Sequence, residues 1–579
     1  LSKSQKRANN VRTKILKTGR RLRETGVCAD FRRAALLAVA ACLGLTSVPS
    51  AARAADELVA GFRESGLVSL TYAGTQLLKK GAPRLRHVVW ESGDVDDVPG
   101  SAQPTTSFDL RSLTLVQTWS QGQIACAYRE STDRLNIQIT FTNGSNRRIR
   151  GLDMNVLDLA FPITPTGPGW DNDLHTTSDA VDDVAAIVAQ YGSGSLVTVG
   201  TDLDSEFRLQ LKKDFETVNP GYNLMVGTQS KSTSDFVNVV GCRLDPGKSI
   251  RFRISLRFGP AKAGLADLAG DVFAKYRQRF PRVLNWPDRR PLTMLMLASS
   301  AAEHHSSTNP RGWLNDPRVD VTTPDGRDAF KTKVLQQRVG RCVDQCQLRG
   351  AQGVIVWDVE GEEYPSLVFV GDPRKLPQLA PEMDAIADDV FKTLSDAGLK
   401  TGVCIRPSRI VKQPGETPWR HDFMGFDPVA EMAGKIAYAK RRWGCTLFYV
   451  DTNVTLALAS RGPGKKAETE NWFVRAEQMR RLAAQFPDVL IIPEFQYTGY
   501  YSHLSGYREL RGGIASTSER DRLAYPGAFS VINVADGPIV ERRDDLLAGV
   551  RRGDILMFRG WFGTRDGSLV QGIYDEARR

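Results

Sequence analysis

The sequence predicts two domains of different class, an N-terminal antiparallel β-sandwich followed by a (β/α)8 TIM-type barrel. Three observations predict it. The chain is 579 residues long, too long for one hydrophobic core. From about residue 58 to residue 258, apolar residues recur with a period of two between dense turn signals. Beyond Pro291 the pattern changes to short apolar runs alternating with helical stretches, the grammar of a parallel sheet with crossover helices.

The alternation is clearest in Leu135-Asn136-Ile137-Gln138-Ile139-Thr140-Phe141-Thr142, which ends on the turn Asn143-Gly144-Ser145-Asn146. Strands are also expected at residues 67–72, 87–90, 113–119, 196–200, 236–242 and 250–258, and many short strands between turns make a sandwich. A helical stretch at 265–279 leads into a segment with Pro281, Pro287 and Pro291 around Trp286, expected to be a stiff linker packed on its neighbour. The expected divisions are a signal segment over 1–54, the sandwich over 55–260, a helical linker over 261–291 and the barrel over 292–579.

In the barrel, strands are expected at 292–297, 353–357, 401–405, 446–450, 489–492, 529–534 and 555–558, with helices at 330–348, 383–397, 428–443, 472–486 and 544–551. An eighth strand, sixth in order, is expected between 495 and 526, with 513–516 as its place. A doubly wound sheet would typically carry a glycine-rich turn after its first strand. The turn here reads Ala298-Ser299-Ser300-Ala301-Ala302, without glycine.

The formal charge of +11 would suggest nucleic acid or membrane partners, but it is concentrated at one end. Residues 1–54 hold 12 Lys and Arg against two Asp and Glu, leaving 65 basic and 64 acidic residues in the remainder. No basic stripe with interleaved aromatics follows, so no nucleic-acid partner is expected. The basic segment, Arg32-Arg33, the apolar run 34–45 and Ala52-Arg53-Ala54 read as an export signal, giving a periplasmic or extracellular protein. Val39-Ala40-Ala41-Cys42 resembles a lipobox, the alternative in which Cys42 carries a lipid anchor, and Arg32-Arg33 resembles a twin-arginine signal. The six later cysteines form no CxxC pair, and neither a metal site nor a cofactor is expected.

Barrel enzymes place reactive groups where strands end. The strand ends here read Trp357-Asp358-Val359-Glu360, Arg406-Pro407 with Arg409, Tyr449-Val450-Asp451-Thr452-Asn453, Pro493-Glu494-Phe495, Asn533-Val534-Ala535-Asp536 and Arg559-Gly560-Trp561. An acid after a strand is often a helix N-cap, but Glu is a poor one, and capping explains Asp358, Asp451, Glu494 and Asp536 together less well than it explains one; chemistry is put ahead of capping for Asp451 and Glu494. Two carboxyl groups about 5–5.5 Å apart suit a retaining glycosyl transfer, and adjacent strands about 4.8 Å apart supply that spacing. Asp451 and Glu494 are therefore the candidate pair. Asp536 is the supporting acid, and Asp358, Glu360, Arg406, Trp357, Tyr497 and Trp561 are candidate substrate contacts.

A β-sandwich, a helical linker and a barrel with Asp on strand four and Glu on strand five resembles the retaining α-glycosidases, both amylase-like and endo-α-N-acetylgalactosaminidase-like. The resemblance implies that Asp451 is the nucleophile, Glu494 the acid/base and Asp536 the strand-seven acid of the amylase-like group, acting on an oligo- or polysaccharide. Two departures stand out. Amylase-like enzymes have Arg two residues before the nucleophile, where this chain has Tyr449. The α-galactosidase-like group has Lys there and takes its acid from strand six. Two other functions compete: a metal-dependent barrel lyase or hydrolase with Asp358, Asp451 and Glu494 as oxygen ligands, and a non-catalytic carbohydrate-binding barrel.

Overall fold

The computed structural model describes residues 57–579 apart from 93, 100, 161–162, 167–174, 180–182, 192–193, 204–206, 215–220, 229–241, 363–368, 413–418, 424, 456–471 and 561–564. The signal segment and most of the strand expected at 236–242 lie outside these residues.

The period-two pattern becomes two large antiparallel sheets, of eight and seven strands, with a smaller three-stranded one. In the strand Arg134–Asn143 every second residue is buried, and Leu135, Ile137 and Ile139 sit opposite Leu256, Ile254 and Phe252 of the strand Ser249–Pro260. These side chains are at most 1% exposed. Burial of each such side chain stabilises the sheet pair by about 1.5–3 kcal/mol.

The helix Leu265–Arg279 follows and lays Val272, Phe273 and Tyr276 against Val197 and Val199 of the sandwich and Tyr501 and Tyr525 of the barrel. Asp183, just before a sandwich strand, accepts the Thr498 N–H from the barrel side of the same seam. The proline segment packs on the barrel as expected: Trp286 is buried, and its indole N–H donates to Gln352 at 3.1 Å.

The eight barrel strands are β1 (Leu292–Leu295), β2 (Gly353–Val356), β3 (Lys400–Ile405), β4 (Leu447–Val450), β5 (Leu490–Pro493), β6 (Gly506–Glu509), β7 (Ser530–Asn533) and β8 (Ile555–Arg559). All neighbours pair in parallel, in the order β5-β4-β3-β2-β1-β8-β7-β6. Among the described residues no ladder joins β5 to β6. The Gln496 carboxamide oxygen accepts the Tyr507 N–H at 2.7 Å there, and the Ser505 hydroxyl donates to the Ile491 carbonyl at 3.4 Å.

The sixth strand corrects the sequence reading. It lies at Gly506–Glu509, and 513–516 is a turn and loop beyond it. Only the 3-10 turn Thr498–Ser502 separates it from β5, where the barrel grammar calls for a helix. Its sequence, Gly-Tyr-Arg-Glu, is also not an apolar run. Gly506 is required, because a Cβ there would lie 2.1 Å from the Tyr501 hydroxyl. Two further differences are local. The helix expected from residue 472 begins at Ala476, because Trp472–Phe473 pairs as a strand with Val454–Thr455. The helix expected at 330–348 is interrupted by a π-helical stretch, Lys333–Gly340.

Candidate active site

Parallel pairing carries on one step past β3, β4 and β5. The Asp451 N–H donates to the Ile405 carbonyl and the Glu494 N–H to the Val450 carbonyl, both at 2.9 Å. Since Val450 pairs with Pro493, Asp451 and Glu494 stand side by side at the next register position. Strand periodicity puts Tyr449 on the same face as Asp451. Its ring lies 4.2 Å from that of Trp357 and 4.9 Å from that of Tyr507, forming an aromatic floor from β2, β4 and β6.

The two carboxyl groups have opposite surroundings. Arg406, from the end of β3, donates from Nε and Nη2 to Asp451 Oδ2, and the Thr452 hydroxyl donates to the same oxygen at 3.2 Å. Among the described residues no hydrogen bond reaches Oδ1. The positive charge that an Arg two residues earlier would supply thus comes from the neighbouring strand. Glu494 Oε2 accepts the Thr452 N–H at 2.8 Å. Burial, and then the charge of Asp451, push the Glu494 carboxyl up to about 7, so it holds its proton near neutrality.

Arg406 is itself fixed from behind. Its Nη1 lies 2.7 Å from His421 Nε2, and His421 Nδ1 lies 2.7 Å from the Ser408 hydroxyl. A guanidinium only donates, so His421 Nε2 accepts and Nδ1 carries the hydrogen. Burial and the cations Arg406 and Lys435 push His421 down to about 2, which keeps it neutral. The fully buried Lys435 ammonium donates to the carbonyls of Arg406 at 2.7 Å and Ser408 at 2.6 Å. Burial lowers Lys435 to about 8, against the opposing pull of Asp372 and Glu431.

The other predicted residues are placed differently. Asp358 is fully buried and accepts the N–H groups of Leu297 at 2.7 Å and Ala298 at 2.9 Å, clamping the chain beyond β1. Burial pushes it up to about 7 despite those bonds. Glu360 is fully buried with neither oxygen hydrogen-bonded, and burial raises it to about 8. Asp536 stands at the rim with its side chain 61% exposed and ion-paired to Arg559. Trp357 and Tyr497 are buried, and Trp561 lies outside the described residues.

Strand β6 adds an acid that the sequence reading missed. Glu509 ends that strand, accepts from the Tyr507 hydroxyl at 3.1 Å and pairs with Arg511 at 3.0 Å. His421 was missed as well, because it lies on a short hairpin (Arg409–Val411 with Arg420–Asp422) that no strand-end rule selects. Among the described residues, no group of three or more His, Cys, Asp and Glu side chains could hold a metal ion.

No protein-family model matches the chain, and no curated protein matches it in sequence. Solved structures do match in fold, and glycoside hydrolases are among them. The alpha-N-acetylgalactosaminidase NagBb from Bifidobacterium bifidum, in complex with GalNAc, is 10% identical with a TM-score of 0.50, covering 91% of this chain and 92% of that one. The GH36 alpha-galactosidase AgaA from Geobacillus stearothermophilus, in complex with raffinose, is 14% identical with a TM-score of 0.40, over 87% of this chain and 74% of that one. A GH31 family sulfoquinovosidase from E. rectale is 9% identical with a TM-score of 0.45, over 91% and 81%.

Proposed function

We propose that this chain is a glycosidase that cleaves an α-linked oligo- or polysaccharide with retention, with Asp451 as nucleophile and Glu494 as acid/base. One observation carries the proposal. Two carboxyl groups stand on adjacent strands, one facing a guanidinium with a free oxygen, the other raised to about 7 by burial and its neighbour. In the first step Asp451 Oδ1 bonds the anomeric carbon while Glu494 passes its proton to the departing glycosidic oxygen. In the second, the Glu494 carboxylate takes a proton from a water that attacks the same carbon and frees Asp451. The Thr452 N–H favours the carboxylate form of Glu494 and so assists the first transfer. The fold shared with NagBb, an α-glycosidase by name, supports the α linkage.

Glu509 is the rival acid, since it ends β6. It pairs with Arg511 at 3.0 Å, and its charge is one of the influences that raise Glu494. The experiment screens the purified protein against aryl α- and β-glycosides and complex glycans, then compares variants on the best substrate. Glu494→Gln should be impaired least on substrates with good leaving groups. Asp451→Ala with azide should release a glycosyl azide of inverted configuration. Full activity in both variants would sink the proposal, and an acid defect confined to Glu509→Gln would move the proton donor to β6. The signal pattern before Ala55 adds the expectation that the reaction takes place outside the cytoplasm, which cell fractionation checks.

A further inference from the structure

Among the described residues of the barrel, five other than glycine have positive φ: Leu314, Asn315, Phe369, Thr452 and Asp536. All lie in loops that follow strand C-terminal ends. Thr452, at φ 54°, is the β-branched one among them, and a β-branched side chain is poorly tolerated in that region of backbone space. Such a conformation persists only where the surroundings enforce it, and it concentrates at functional sites.

Thr452 also touches both carboxyl groups. Its N–H donates to Glu494 Oε2 at 2.8 Å and its hydroxyl donates to Asp451 Oδ2 at 3.2 Å. The next residue is fixed too. The fully buried Asn453 carboxamide accepts the Phe495 N–H at 2.9 Å and donates to the Phe495 carbonyl at 2.8 Å, tying the loop after β4 to the loop after β5.

We infer that Thr452 is a positioning residue whose strained backbone sets the spacing of Asp451 and Glu494. The left-handed φ swings the hydroxyl onto Asp451 from a residue whose N–H donates to Glu494, and among the described residues no hydrogen bond reaches Asp451 Oδ1 or Glu494 Oε1. Ordinary extended backbone at this position would rotate the side chain and Asn453 about the Thr452 N–Cα bond, carrying the hydroxyl off Asp451 and the Asn453 carboxamide off Phe495. The inference rests on the glycosidase reading and names the residue on which its geometry depends.

Three variants separate hydroxyl from strain, with kcat, KM and thermal midpoint measured for each. Thr452→Val keeps the strain and loses the hydroxyl; misplacement of a reacting group on the ångström scale lowers kcat by about 10²-fold, with KM nearly unchanged. Thr452→Ser restores the hydroxyl and recovers most of that loss. Thr452→Gly loses the hydroxyl and releases the strain, so it unfolds at a higher temperature than Thr452→Val while remaining slow. Full kcat in Thr452→Val, or a Thr452→Gly no more stable than Thr452→Val, overturns the inference. If Asp451→Ala is inactive while Thr452→Val is fully active, this inference alone fails. If Asp451→Ala is active, the glycosidase reading fails with it.

Discussion

The two ends of the barrel treat a buried acid in opposite ways. At the N-terminal end, Asp554 precedes β8 and is fully buried, with five donors on its two oxygens. Ser530 N–H at 2.9 Å and the Thr517 hydroxyl at 2.5 Å reach Oδ1. The Ser516 hydroxyl at 2.8 Å, Thr517 N–H at 3.1 Å and Arg522 at 2.9 Å reach Oδ2. At the C-terminal mouth, Asp451 concentrates its bonds on one oxygen, Glu360 has none among the described residues, and Thr452 beside Asp451 has a positive φ. A carboxylate with every lone pair occupied is a structural joint. One with an oxygen left open beside a protonated neighbour is positioned to react.

This contrast can be broken by experiment. The largest effect is expected at the mouth: Asp451→Asn should lower kcat/KM by at least about 10³-fold with little change in thermal midpoint. Asp554→Ala should do the reverse. It leaves Arg522 and four other donors facing a buried void and should destabilise the fold by about 3–5 kcal/mol. Equilibrium denaturation checks this, and an Asp554→Ala protein of normal stability would erase the distinction.

The pH dependence should also divide by location. Glu494, held at about 7, must be protonated to act as the acid, so kcat/KM should fall as pH rises through about 7. A profile flat to pH 9 would contradict that role. Glu360 gives the smallest expected effect. Its folded value of about 8 lies above the ordinary 4.5, so the folded protein keeps a proton that the unfolded chain releases between those values. Stability should therefore decline as pH rises across that window. Glu360→Gln removes the charge and should be more stable than the parent by about 1–3 kcal/mol at pH 9, with no gain at pH 4. Parallel denaturation curves at the two pH values would test it.

Much of the scaffold was legible from local pattern. The helix read at 265–279 is the observed Leu265–Arg279, and that read at 428–443 is the observed Pro428–Trp443, with Gly444 at its αL cap. Seven of the eight strands were placed because each is a run buried on both faces. The sixth failed because β6 is short and charged at its end, and because a 3-10 turn replaces the helix that should announce it. Burial periodicity cannot reveal a strand that departs from the period.

The sequence by itself determined the period-two sandwich, the alternating barrel and the presence of acids at strand ends, since these follow from neighbours along the chain. Only the tertiary structure decided what each acid does. Asp358 and Asp451 occupy the same kind of position in the sequence, yet one clamps the backbone of Leu297 and Ala298 and the other faces Arg406. The partners that separate them lie 60–61 and 45 residues away. Hydrogen-bond allocation and desolvation are set by whatever folding brings close, and no local period encodes that.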